Sequence, residues 1–166
     1  MTGGSLLSAL PETTIITRLV VAMLLGACIG LDREIKRRPA GLRTHILVTL
    51  AAAAFTLITI EVYQDTLKEA GNAAGARADP IRVVEAVTAG VAFIAAGAII
   101  RQSDGDVQGV TTGAAIWLAG AIGVACGIGY YIVAIVTTVL AILVLQGLGW
   151  VESRVLKTDD DAAGKK

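Results

Sequence analysis

VQGVTTGAAIWLAGAIGVACGIGYYIVAIVTTVLAILVLQGLGWV, residues 107–151, contains no Asp, Glu, Lys or Arg. One helical bilayer crossing takes roughly 20 apolar residues, so this stretch accommodates two crossings and the turn between them. The turn is expected at ACGIGY, residues 125–130, where glycines interrupt the helix and a tyrosine pair suits a membrane interface. The flanking spans are then residues 110–125 and 131–151.

Working upstream, three more apolar segments are legible. They are residues 15–31, broken only by Arg18, residues 46–60, and residues 83–100, broken only by Glu85. Neither VVAMLLGACIG nor AIVTTVLAILVL alternates with a period of two, so a transmembrane β-barrel is not indicated. In lipid the other solution is the helix, whose backbone groups are satisfied within one segment. The expected fold is therefore all-α: a polytopic integral membrane protein with five transmembrane helices. Residues 1–151 would form this domain and residues 152–166 a short charged, solvated tail. No Lys or Arg precedes Arg18, so the first segment lacks the basic leader of a signal peptide and is read as a retained span.

Composition agrees. The 166 residues are 55% hydrophobic and 17% charged, against about 25% charged in an average soluble domain. Mean hydropathy is +0.72. The formal net charge of zero conceals a segregated distribution. Arg33, Lys36, Arg37, Arg38 and Arg43 lie between the first two spans, Arg101 follows the third, and Arg154, Lys157, Lys165 and Lys166 follow the last. Only Arg18, Lys68, Arg77 and Arg82 fall on the other side. The positive-inside rule then places the start of the chain outside and its C-terminus in the cytoplasm.

The inventory excludes several chemistries. One histidine, His45, and two cysteines without CxxC or CxxH spacing give no zinc-type ligand set. Cys28 and Cys126 read as small buried hydrophobes. P-loop, GxSxG, HExxH and EF-hand patterns are absent from the sequence, so no enzyme and no nucleic-acid partner is expected.

Small residues recur at helical spacing: Ala22, Gly26 and Gly30; Gly90, Ala92, Ala96 and Gly97; Ala119, Gly123 and Gly127. Such rows let helices approach closely, either within the bundle or in a homodimer. Polar residues near the spans are the candidates for function: Asp32, Arg33, Glu34, Arg43, Thr44, Glu85, Thr111 and Thr112. Asp32 and Glu85 are the candidate cation ligands, Mg2+ being the ion considered. Each also has a structural reading. Glu85 can pair with Arg82 across one turn, and Asp32 with Arg43 across the elbow joining the first two spans, while Lys36, Arg37 and Arg38 act as a solvated anchor. Asp104 and Asp106 around Gly105 read as a solvated turn. The basic loop is also suited to anionic lipid headgroups.

GACIGLDREIKRRPAGLRTHILVTLAAAAFTL, residues 26–57, resembles the signature of the MgtC/SapB membrane proteins, a G-x-x-x-G-[LI]-[ED]-R-[EQ] element followed by a basic run and [PM]-A-G-L-R-[TN]. DPIRVVEAVTAGVAFIAAGAII, residues 79–100, resembles their D-P-x-R and glycine-rich block, and VQGVTTGAAIWLAGAIGVACGIG, residues 107–129, their V-x-G-L-T-T block. Ala92 and Ala95 stand where the family usually has glycines, and Ala86 where it often has glutamine, with Glu85 beside it. The longer members carry a soluble domain after the last span, in place of which this sequence has residues 152–166. The resemblance implies five spans and a bacterial inner-membrane location, with a link to low-magnesium adaptation and, in pathogens, to intracellular survival. It implies either Mg2+ transport or regulation of other membrane machinery such as the ATP synthase. Because Mg2+ typically takes one or two carboxylates and only Glu85 approaches mid-span, regulation or partner binding is the reading favoured from the sequence.

Overall fold

Pro11 is the N-cap of the first helix, its carbonyl accepting from Thr14 N at 2.8 Å and Ile15 N at 3.2 Å, and Glu12 places a negative charge at the helix's positive end. Helix α1 runs Glu12–Ile35. It is followed by α2 (Leu42–Ala70), α3 (Ile81–Gly97), a two-residue hairpin pairing β1 (Ile100–Arg101) with β2 (Val107–Gln108), α4 (Val110–Ile128) and α5 (Tyr131–Ala163). The computed structural model describes residues 10–70, 81–101 and 107–163. The turn at Asp104 and Asp106 lies outside them.

The helix stops are chemical. Arg37 adopts a left-handed φ of 51°, and the chain closes α1 by donating Arg38 N to Arg33 O and Arg37 N to Glu34 O, each at 3.0 Å. That is the Schellman pattern, with Pro39 just beyond it to prevent continuation. Gly129, φ 98°, ends α4 in the same manner, with Tyr130 N donating to Ala125 O at 2.8 Å.

The close approaches set the relative directions of the helices. A Cβ on Gly26 would overlap the Thr49 hydroxyl and stand 2.9 Å from His45 O, while one on Gly30 would stand 2.7 Å from Leu42 Cα. Thus α1 and α2 run antiparallel at backbone contact. A Cβ on Gly123 would overlap Thr49 O, and one on Gly127 would lie 2.8 Å from Ala53 O, so α4 packs on α2 in the same direction. Gly113 faces Ala95 O and Gly120 faces Val91, which makes α3 antiparallel to α4. The Lys36 ammonium donates to Leu145 O at 2.8 Å, bringing the later part of α5 to the end of α1. The result is an up-and-down bundle with α4 at its centre. Ile116, Ala119, Ile122, Gly123 and Cys126 are all buried on it.

The surface is apolar elsewhere. Phe55, Phe93, Ile132 and Leu143 are among the exposed large hydrophobics, and Phe93 is 82% exposed. Helices α1, residues 42–68 of α2, and α4 are each long and apolar enough to cross a membrane, whereas α3 and the apolar part of α5, Tyr131–Gly147, are shorter. Among the described residues the fold is thus all-helical apart from one minimal hairpin, with five helices and three long apolar ones.

Several expected boundaries shift. Helix α1 continues through DREI to Ile35, α2 extends ten residues past Ile60 to Ala70, and α3 ends at Gly97, with Ile100 in the hairpin. Helix α5 runs to Ala163, so the backbone over most of the expected tail is helical. Cys126 is buried as expected, but Cys28 is exposed.

Candidate functional site

The polar residues gather where α1 ends, α2 begins and α4 begins. Glu34 Oε2 accepts from Leu42 N at 2.9 Å, so a side chain from the end of one helix caps the start of the next. Gly41 makes this possible, because a Cβ there would overlap that same oxygen. The elbow is therefore closed by a carboxylate on a backbone N–H. The expected Asp32–Arg43 pair does not form: Arg43 is exposed, and Asp32 Oδ1 instead pairs with Lys36 Nζ at 3.0 Å, one turn along α1.

Arg33 is 3% exposed, and its Nη2 donates to the Thr112 hydroxyl in the first turn of α4 at 2.6 Å. His45 is fully buried. Its Nδ1 donates to Gly41 O at 2.8 Å. Asp32 Oδ2, Arg33 Nε and His45 Nε2 are all buried without a hydrogen-bond partner among the described residues. Sequence reasoning counts Arg33 and Thr112 as candidates but misses His45, the most enclosed polar group here. Its signal is spacing: His45 lies one turn from Gly41, the acceptor for its ring.

The remaining candidates scatter. Thr44 is half-buried, and Thr111 is exposed at the mouth of an apolar groove between α4 and α5. Glu85 is exposed on α3 and forms no ion pair with Arg82; the ion pairs among the described residues are Lys36–Asp32 and Lys68–Asp65. Counting about 1.5 Å per residue from the Gly26–Thr49, Thr49–Gly123 and Gly120–Val91 contacts, Asp32 and Glu85 sit roughly 13 Å apart along the bundle axis. One cation cannot be held by both, since ligand oxygens lie about 2–2.6 Å from the metal. No group of three or more His, Cys, Asp or Glu side chains suited to a metal occurs among the described residues.

The glycines divide into two sets. Gly26, Gly30, Gly123 and Gly127 are filled by neighbouring helices of the same chain, whereas a Cβ added at Gly90 or Gly97 would meet nothing within 4 Å. Beyond this bundle geometry, residues 19–154 match the sequence profile of the MgtC family. The chain belongs to the MgtC family. It is 33% identical to Protein SapB of Bacillus subtilis over 150 residues, covering 90% of this chain and 63% of that protein. It is 33% identical to Protein MgtC of Salmonella typhimurium strain LT2 over 151 residues, covering 91% of this chain and 59% of that protein. A 35% identity over 131 residues relates it to the Escherichia coli K12 protein named "Putative magnesium transporter YhiD", covering 79% of this chain and 59% of that one. The chain thus spans about three fifths of the length of these MgtC-family relatives. No solved structure matches it significantly.

Proposed function

We propose that this MgtC-family chain is a multi-pass protein of the bacterial inner membrane that serves magnesium homeostasis by binding a partner within the membrane. The magnesium link is supported by the name of one relative, the Escherichia coli K12 protein "Putative magnesium transporter YhiD", and the mode of action by the outer face of α3. That helix buries a single stripe, Val87, Val91 and Ala95, and leaves Ala86, Ala89, Gly90, Phe93, Ala96 and Gly97 exposed. A small-residue face with an exposed phenylalanine suits close contact with another membrane helix. The partner is a second copy of the chain or a helix of other membrane machinery, the ATP synthase being the candidate from family resemblance. The basic loop, with Arg37 and Arg38 exposed, faces the cytoplasmic leaflet in this reading.

The name of that relative also supports a second reading, that of a transporter for Mg2+. Liposomes carrying the purified chain and a luminal Mg2+-sensitive dye separate the two. Partner binding predicts no Mg2+-dependent dye signal above protein-free liposomes. It also predicts that cysteines introduced at Gly90 or Gly97 form α3–α3 or α3–partner crosslinks in membranes. Dye responses that saturate with Mg2+ would replace this proposal with transport.

A further inference from the structure

Two arginines bracket α4, and their electrostatic settings are opposite. At the C-terminal end, Arg18 Nη1 donates to Gly127 O at 2.7 Å, a cation placed where the helix dipole is negative. At the N-terminal end, Arg33 donates to Thr112 Oγ1, placing a buried cation on the turn where the dipole is positive. The first N–H groups of that turn have no partner within their helix. No side chain caps them, because the cap position is Gly109, at φ 89°.

The Asp32 charge acts on Arg33 from the neighbouring position, but Arg33 is in no ion pair among the described residues. Asp32 is taken by Lys36 at 3.0 Å, Glu34 accepts from Leu42 N, and no carboxylate lies within ion-pair distance of Arg33. Arg38 is near enough for its charge to act on Arg33 as well. Arg33 Nε remains buried and unpartnered. A buried cation held in no ion pair is disfavoured, and a helix N-terminus adds to the demand for an anion. The approach is open on one side: Val110 and Thr111 are exposed while Thr112 is buried beneath them. From Thr111 an apolar groove of about 340 Å3, lined by Ile29, Ala114, Leu140 and Val144, runs along α4 and α5.

We propose that Arg33, Thr112 and the first-turn N–H groups of α4 bind a phosphate group, supplied by the headgroup of an anionic phospholipid or by free inorganic phosphate. Arg33 forms charge-assisted hydrogen bonds to it, the backbone N–H groups of Val110 and Thr111 donate to its outer oxygens, and Arg37 and Arg38 raise the local anion concentration. The groove would take an acyl chain, which is why the lipid source belongs in the test.

The test uses the full chain, purified in neutral detergent without phosphate and unfolded thermally with tryptophan fluorescence as readout. Inorganic phosphate is titrated against sodium chloride of equal ionic strength, and in parallel the chain is placed in nanodiscs of phosphatidylcholine with or without phosphatidylglycerol. One of the two should raise Tm by roughly 5 °C in the parent chain and in Arg43→Gln, and by less than about 1 °C in Arg33→Gln. A response to phosphate in detergent identifies the free ion; a response confined to phosphatidylglycerol identifies the headgroup. Should Arg33→Gln fail to fold, Thr112→Val keeps the charge and removes the hydroxyl that holds the guanidinium. Its half-saturating concentration for the active source should rise roughly tenfold. No stabilisation of the parent chain by either source, or an unchanged half-saturating concentration in the variants, overturns the proposal.

Discussion

Asp32 and Lys36 show how one pairing turns on where a helix ends. The sequence offers Arg43 as the partner because both residues flank an apolar run, yet the i, i+4 spacing of Asp32 and Lys36 is available in the same stretch. With α1 continuing through Asp32 to Ile35, that spacing decides the pairing. Lys36 is consequently more than a solvated anchor: its ammonium holds Asp32 and also donates to Leu145 O, tying α1 to α5. In a double-mutant cycle on thermal stability in detergent, Asp32→Ala and Lys36→Ala should couple by about 1 kcal/mol, whereas Asp32→Ala and Arg43→Ala should add. Strong coupling of Asp32 to Arg43 would restore the elbow pair. The candidate site is legible in part. Arg33 and Thr112 stand in separate motifs, and nothing in their 79-residue separation indicates that they touch. Glu34 as the cap of α2 is equally hidden, because it acts across a turn whose geometry rests on the left-handed Arg37.

At the scale of elements, hydropathy locates all five helices but misplaces their ends. Apolar runs mark the depth a bilayer can cover, whereas a helix continues as long as its backbone bonds and side chains allow; α2 therefore carries on through EVYQDTLKEA. The small-residue rows are visible too, although their use is not, since a stripe does not name what covers it. In the structure Gly26, Gly30, Gly123 and Gly127 are filled from within the chain, and Gly90 and Gly97 are not. Of the three rows read as packing or association surfaces, those on α1 and α4 are used within the chain and the one on α3 is left open. Gly123→Leu should lower Tm by roughly 5–10 °C, because the new side chain meets the Thr49 backbone and Ala52, neither of which can swing away. Gly90→Leu and Gly97→Leu should leave monomer Tm within about 2 °C and instead weaken any homodimer measured by light scattering coupled to chromatography. Equal destabilisation by all three would mean that α3 packs more tightly than its open face indicates.

For the whole molecule, the contacts fix an alternation of directions that the sequence supplies only through charge. Arg18 meets the end of α4 and Arg33 its beginning, while Lys36 meets α5 near Leu145, so successive helices reverse throughout. If every helix crosses the bilayer, the start of α1 and the far end of α5 must face opposite sides. Helix α3, 17 residues long, is at the lower limit for a crossing. In the orientation proposed from the distribution of Lys and Arg, the α1–α2 elbow would lie in the cytoplasm. Replacing Cys28 and Cys126 first, single cysteines at Thr13, Pro39, Tyr130 and Ala162 should answer both questions in intact cells with a membrane-impermeant maleimide. Thr13→Cys and Tyr130→Cys should react at once, and Pro39→Cys and Ala162→Cys only after permeabilisation. The reverse pattern would keep five spans and invert the orientation. Labelling of Thr13→Cys and Ala162→Cys from the same side would instead require an even number of crossings, with α3 or the apolar part of α5 returning to the face it left.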